Sequence, residues 1–291
     1  MKTVLVAGAT GILGQVVSRL LHEKGYRIKT FSRNPTRAQA LRGITGEIAT
    51  GDATKPKTLD RVFDEVDAVI SCLGAPMGFT GKDRRSFRDV DTIANCNLIQ
   101  AAQKAGVNRF IYVSVHAQPR YARTAYIRAH EDVIGELRKS GISFGVVRPT
   151  GMFPIFDPLL DMARRGIIYI PGNGKAQTNP VHPLDVAEAC IEALNLGNDI
   201  SVSVGGPDIL SREEIARMAF KAIGKKPKIL HIPRYVLLAS AAMVQPFHPR
   251  YGEVLEFVAH VFTSECVAPT RGTRRLSDHF ANVASITAAL K

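Results

Sequence analysis

The stretch Thr3-Val-Leu-Val-Ala-Gly-Ala-Thr-Gly-Ile-Leu-Gly-Gln-Val-Val17 decides the fold. An apolar, β-branched run from Thr3 to Ala7 reads as a strand, and Gly8, Gly11 and Gly14 follow it directly. Apolar residues then recur at helical spacing in Leu13, Val16, Val17, Leu20 and Leu21. This order gives the glycines their meaning, because such a loop cradles a phosphate only between a strand and a helix N-terminus. There, unpaired amides and the helix dipole favour an anion. Gly8 permits the tight turn, Gly11 lets backbone approach a pyrophosphate, and Gly14 allows helix and strand to pack closely. The stretch reads as a dinucleotide-binding loop in preference to an ordinary tight turn.

The second strand, Tyr26 to Ser32, ends where an adenosine ribose would lie. An NAD site places Asp or Glu there, roughly 20 residues past the glycines, to bond the 2′-hydroxyl. Counting 19 on from Gly14 reaches Arg33, between Ser32 and Asn34-Pro-Thr-Arg37, with no carboxylate in the stretch. A guanidinium fork and a hydroxyl suit a 2′-phosphate, which a carboxylate would repel. The reading is NADP(H), with NAD(H) second; the competing reading makes Arg33 and Arg37 a solvated loop and helix start.

Composition sets outer bounds. A chain of 291 residues, 45% hydrophobic and 22% charged, can bury one sizeable core and a smaller lobe. Met1-Lys-Thr leads straight into the first strand, so no signal peptide is expected. The apolar run Tyr235 to Val244 is too short to span a bilayer. Cys72, Cys96, Cys190 and Cys266 have no metal-like spacing; Cys72 and Cys96 are expected to pack, and a reducing cytoplasm is the natural compartment. The net charge is +12, but its cations are scattered in pairs such as Arg84-Arg85 and Arg274-Arg275. With no RNA-binding or zinc-finger pattern, nucleic acid is disfavoured as a partner, and a small molecule is expected.

The N-terminal half continues as strand and helix in alternation: strands at Gly46–Thr50, Ala68–Ser71, Arg109–Val115 and Ser143–Arg148, helices at Val90–Ala105 and Tyr126–Ser140. This pattern predicts an α/β fold, a doubly wound parallel sheet. Ligands in such sheets sit at the carboxyl ends of the strands. That draws attention to Arg33, Asp52, Leu73-Gly74, Ser114 and Pro149-Thr150-Gly151. Asp52 either accepts from an adenine amino group or caps its own turn.

Gly8-Ala-Thr-Gly11-Ile-Leu-Gly14, Ser32-Arg33-Asn-Pro, Gly51-Asp52-Ala and Val147-Arg-Pro-Thr150 resemble the atypical short-chain dehydrogenase/reductases, nearest the NmrA-like NAD(P)H-binding proteins. The similarity runs from residue 1 to about 195 and loosens beyond. It implies a Rossmann sheet, usually seven-stranded, with residues 1–151 as its core, return contributions from about 175–205, and 152–291 as a dependent substrate lobe. By residue match it implies that Thr10, Gly11, Ile12 and Leu13 meet the pyrophosphate. Arg33 and Arg37 would meet the 2′-phosphate, Asp52 and Ala53 would lie near adenine, and Leu73 and Gly74 would border the ribose.

The catalytic half departs from the family pattern. Active members carry a Ser and then Tyr-x-x-x-Lys, whose Lys holds the nicotinamide ribose and lowers the Tyr pKa. Here Ser114 ends the fifth strand, and Tyr126-Ile-Arg-Ala-His130 stands in place of that motif. A neutral imidazole can bond hydroxyls, but it supplies charge only near or below about pH 6.5. An unassisted Tyr has a pKa of about 10 and is a poor base. Arg123 or Arg128 would have to supply the missing field. Three readings of Tyr126 and His130 stand: an acid–base pair, cofactor binding with an acceptor needing little acid, or plain helix residues. Tyr121 is a second candidate hydroxyl.

Met77, Phe79, Met152, Phe153 and Phe156 either wall the nicotinamide site against a flat or apolar acceptor or join the two lobes. His182 and Asp185 should cap a helix from Pro183, and Ser211-Arg-Glu-Glu214 is a capping box. Tyr235–Val244, apolar on nearly every side, is expected to be buried in the lobe, with a subunit interface or a membrane-surface contact as the alternatives. The reading as a whole is an NADP(H)-dependent oxidoreductase acting on a small carbonyl or quinone-like acceptor. A non-catalytic redox sensor controlling a protein partner is the alternative, and a nucleotide-free scaffold ranks last.

Overall fold

The computed structural model of the chain describes residues 2–75, 77 and 84–289. Its strands are β1 (Thr3–Ala7), β2 (Arg27–Ser32), β3 (Glu47–Thr50), β4 (Ala68–Ser71), β5 (Arg109–Val113), β6 (Ser143–Pro149), β7 (Ile168–Pro171), β8 (Gln177–Thr178), β9 (Ile200–Val204), β10 (Leu210–Ser211) and β11 (Ile229–Ile232). Its helices are α1 (Ile12–Glu23), α2 (Pro35–Ala38), α3 (Ile93–Lys104), α4 (Ala125–Ser140), α5 (Pro158–Arg164), α6 (Pro183–Asn195), α7 (Arg212–Ala222), α8 (Arg234–Val244), α9 (Pro249–Val261) and α10 (Leu276–Ala289).

Seven strands make one sheet in the order β3-β2-β1-β4-β5-β6-β9. Pairing is parallel from β3 through β6, as helical crossovers require. Every residue of β1 and of β4 is buried, which is why both read as unbroken apolar runs and not as alternating ones. Strand order reverses between β1 and β4, so the crevice for a ligand opens at their carboxyl ends, where Gly8 and Cys72 follow.

The chain divides into two compact units. The first comprises residues 1–115, 125–148 and 186–202, and the second 116–124, 149–185 and 203–291. Leu5, Phe31, Val69, Phe110, Tyr112, Val133 and Leu137 belong to the core of the first. In the second, Phe153, Phe156, Leu160, Ile168, Phe220 and Phe280 pack together. No helix among the described residues is long and apolar enough to cross a membrane.

Two expectations need correction. The helix anticipated from Val90 is wound as a wider π turn over Arg88–Thr92 before α3 begins at Ile93. The run Tyr235–Val244 is helical but not buried: of α8 only Ala241 is buried, while Tyr235 is 72% and Met243 70% exposed. An all-apolar helix carries no mark of which face the fold covers. This one rests on α9 and leaves much of its surface bare.

Candidate functional site

The glycine loop has the geometry its spacing demands. Gly8 sits at φ +76°, a left-handed conformation, and a Cβ there would meet the Cys72 carbonyl oxygen at 2.8 Å. A Cβ on Gly14 would lie 2.2 Å from the Gly8 carbonyl oxygen, so helix α1 touches the loop with no room for a side chain. The Gly11 amide donates to Gly8 O at 2.9 Å and closes the turn. As N-cap of α1, Gly11 offers no side chain to the first-turn amides, which leaves that end of the helix to an anion. Ile12 is 59% exposed beside it, whereas the Leu13 side chain is buried. These residues fit a pyrophosphate.

At the end of β2, Ser32 is buried, and Thr10 Oγ1 lies 3.5 Å from its hydroxyl, tying the glycine loop to the second strand. The Asn34 amide donates to Ser32 Oγ at 3.2 Å, and Asn34 Oδ1 accepts the Arg37 amide at 3.1 Å to cap α2. The Arg33 and Arg37 side chains are left exposed. Asp52, after β3, uses its own turn: its Oδ1 accepts from the Thr54 amide at 3.0 Å and the Thr54 hydroxyl at 2.8 Å. Burial works to raise its pKa, but those bonds and the Arg33 and Arg85 charges outweigh it and hold the carboxyl low. Ala53 is buried, and its carbonyl accepts from Asn97 Nδ2 at 2.8 Å.

Sequence reasoning missed what holds the β4 end. Asn95, fully buried on α3, accepts from the Ser71 hydroxyl at 2.6 Å and donates to Leu73 O at 3.2 Å. It fixes the backbone that carries Leu73 and Gly74. No local pattern marks it, because its partners lie 24 and 22 residues away.

Tyr126 and His130 share one face of α4, with ring centroids 4.7 Å apart in an edge contact. On its other side the Tyr126 ring meets Phe87 at 4.8 Å. His130 is buried, and its Nδ1 lies 2.6 Å from the hydroxyl of Tyr112 on β5, a partner the sequence did not suggest. Burial, then the Arg148 charge, push the imidazole pKa down to about 3. The imidazole is therefore neutral at physiological pH and offers hydrogen bonds without charge. The charge that acts on His130 is that of Arg148 on β6, while Arg123 and Arg128 are exposed. Arg148 is itself engaged by Glu131 at 2.7 Å.

Burial first, with Asp91 and other neighbours, raises the Tyr112 pKa, so this phenol keeps its proton and can donate it to Nδ1. The imidazole proton then sits on Nε2, which is buried and without a hydrogen-bond partner among the described residues. The Ser114 hydroxyl is in the same condition, although the Ser114 amide donates to Val147 O at 2.8 Å. A buried unsatisfied donor is costly.

Tyr121 is buried and donates to His116 O at 3.4 Å, and burial raises its pKa. Phe153 and Phe156 lie in the core of the second unit and wall no site; Met77 and Met152 are half-buried, and Phe79 lies outside the described residues. His182 caps α6 by accepting the Leu184 amide at 3.0 Å, and Asp185 pairs with Arg274. Pro149 closes β6, its carbonyl accepting the His116 amide at 2.8 Å.

A doubly wound sheet with this loop at its switch point defines a dinucleotide-binding protein. The chain belongs to the NAD(P)H-binding family, which it matches over residues 8–196, more than half its length. It is an atypical short-chain dehydrogenase/reductase of the NmrA-like group. It is 25% identical to photosystem II assembly factor Ycf39 of Guillardia theta over 81% of this chain and 75% of that one. It is 23% identical to the chloroplastic divinyl chlorophyllide a 8-vinyl-reductase of Arabidopsis thaliana, over 96% of this chain and 76% of that one. In fold it is similar to an NADPH-dependent quinone oxidoreductase of Escherichia coli complexed with NADPH. That match has a TM-score of 0.74 at 17% identity and covers 96% of this chain and 99% of that one.

Proposed function

We propose that this chain is an NADP(H)-dependent oxidoreductase that passes hydride between the nicotinamide and a small carbonyl or quinone-like acceptor. Arg33 carries the choice of cofactor: it follows β2 directly, beside a buried Ser32, with no carboxylate from Ser32 to Arg37. Asp52 is occupied by Thr54 and does not stand in for the missing ribose carboxylate. Gly8, Thr10, Gly11, Ile12, Leu13 and Gly14 hold the pyrophosphate. Ser32, Arg33 and Arg37 hold the 2′-phosphate, while Asp52, Ala53, Leu73, Gly74 and Pro149 border the nucleosides.

A bound NADPH supplies the hydride; the chain has to orient the acceptor and deliver a proton to its oxygen. Tyr126 is that acid, and the Ser114 hydroxyl donates to the same oxygen. His130 gives one hydrogen bond from Nε2 and no charge. With a neutral imidazole where active relatives keep a lysine, the phenol holds its proton at neutral pH and suits reduction better than oxidation. The edge-on contact of Tyr126 with a neutral imidazole is what supports this direction.

Titration with NADPH and NADH tests the cofactor: wild type should favour NADPH by about tenfold or more, and Arg33→Asp should reverse the order. Equal affinities in the wild type defeat the role of Arg33. For the acid, Tyr126→Phe should lower turnover with a quinone or carbonyl by about a hundredfold. Undiminished turnover means the acceptor needs no acid from Tyr126. The neutral His130, standing where active relatives keep a lysine, also favours a second reading, a redox sensor without turnover. NADPH that binds and is never consumed by any carbonyl or quinone would select it.

A further inference from the structure

Helix α8 carries a row of apolar side chains that the fold leaves in water. At helical spacing Tyr235, Ala239, Ala242 and Met243 share one face, with Val236 at its margin, Pro246 and Phe247 follow in the turn that ends the helix, and all seven are exposed. Tyr235, Met243 and Phe247 are 72%, 70% and 77% exposed. A contiguous apolar surface of this kind marks an interaction site.

The charge around it says what kind. Between Glu214 and Glu253 the sequence holds no carboxylate, yet it holds Arg217, Lys221, Lys225, Lys226, Lys228, Arg234 and Arg250. Lys225, Lys226 and Lys228 are exposed just before β11, and Arg234, also exposed and beside His260, opens the helix that follows it. An apolar face with basic residues on its approach matches an anionic lipid interface, which offers hydrocarbon depth and negative headgroups together. Lysine stems lie along apolar surface while their ammonium groups stay among the headgroups. The eleven residues of α8 rise about 16 Å, half the hydrocarbon thickness of about 30 Å, so the helix lies in the interface and does not cross it.

We infer that this chain docks peripherally on anionic membrane through α8, with Tyr235, Met243 and Phe247 entering the lipid and Lys225, Lys226, Lys228 and Arg234 meeting its headgroups. This surface stands independently of the oxidoreductase reading.

The test is flotation of the full chain with phosphatidylcholine vesicles, with and without about one quarter phosphatidylserine. Binding to the anionic vesicles should exceed that to the neutral ones about tenfold and weaken at high salt. Met243→Glu combined with Phe247→Glu should abolish it, and Lys226→Glu with Lys228→Glu should reduce it about tenfold. All four side chains are exposed, and a thermal melt matching wild type verifies the fold of each variant. Wild type that stays off anionic vesicles overturns the inference, as does a Met243→Glu/Phe247→Glu variant that floats like wild type. Light scattering that shows a dimer split by the same two substitutions assigns the face to a second copy instead, and also overturns it.

Discussion

Protonating His130 would place a cation in the buried space between Tyr112 and Tyr126, under the field of Arg148, and its pKa accordingly falls to about 3. In the unfolded chain the same imidazole titrates at about 6.5. A depressed folded pKa contributes stability above the unfolded value and loses it as pH falls toward the folded one. Wild type should therefore lose roughly 2 kcal/mol between pH 7 and pH 5 from this group alone. Urea denaturation at the two pH values reads it, and His130→Gln should flatten the difference by that amount. An identical slope in both proteins would show that His130 is not held neutral. At Gly14 the constraint is steric: a methyl group would lie 2.2 Å from the Gly8 carbonyl oxygen and 2.8 Å from Ala9 Cα. Gly14→Ala should cost about 1–3 kcal/mol and weaken cofactor binding with it. Gly43→Ala, which meets nothing within 4 Å, should stay within about 0.5 kcal/mol of wild type. Equal melts for the two would remove the close-packing argument for the third glycine.

Helix α7 begins with a capping box that is formed in full: the Ser211 hydroxyl accepts the Glu214 amide at 3.1 Å, and Glu214 Oε2 accepts the Ser211 amide at 2.7 Å. Ser211→Ala should lower stability by about 1 kcal/mol in a denaturant melt, and no change would mean solvent replaces the cap without loss. This motif, like the Gly8–Gly14 loop and the buried runs of β1 and β4, was legible because both halves of each interaction lie within one short stretch. Elements whose fate depends on distant partners were not. Asn95 sits among the apolar positions of α3 and acquires meaning only from Ser71 and Leu73. Phe153 and Phe156 follow a strand end, as site-wall residues do, yet they pack against Leu160 and Phe220. The apolar run in α8 suggested a burial that the fold does not give it, since hydropathy records what can be covered and not what is. Of the site, the residue types at the strand ends were readable. The Tyr112–His130 bond and the Arg148 field were not, because they arise from α4 meeting β5 and β6, which are distant in sequence from it or from each other.

Across the whole molecule 38 cations face 26 carboxylates, and an anionic ligand approaches through the sum of their fields as well as through Arg33. The 2′-phosphate of NADPH adds about 1.5 to 2 negative charges over NADH, as a phosphate monoester does. Screening shortens from about 10 Å at 0.1 M salt to about 3 Å at 1 M. NADPH affinity should accordingly fall with added salt more steeply than NADH affinity. Titrations of both cofactors at several salt concentrations, on wild type and Arg33→Asp, separate the sources. If the excess slope disappears in the variant, the phosphate is felt at Arg33, an exposed side chain where screening acts fully. If it persists, the distributed charge of the protein carries it. Parallel slopes for the two cofactors in wild type would mean that neither field reaches the 2′-phosphate, and the preference for NADPH would then have no electrostatic basis in this chain.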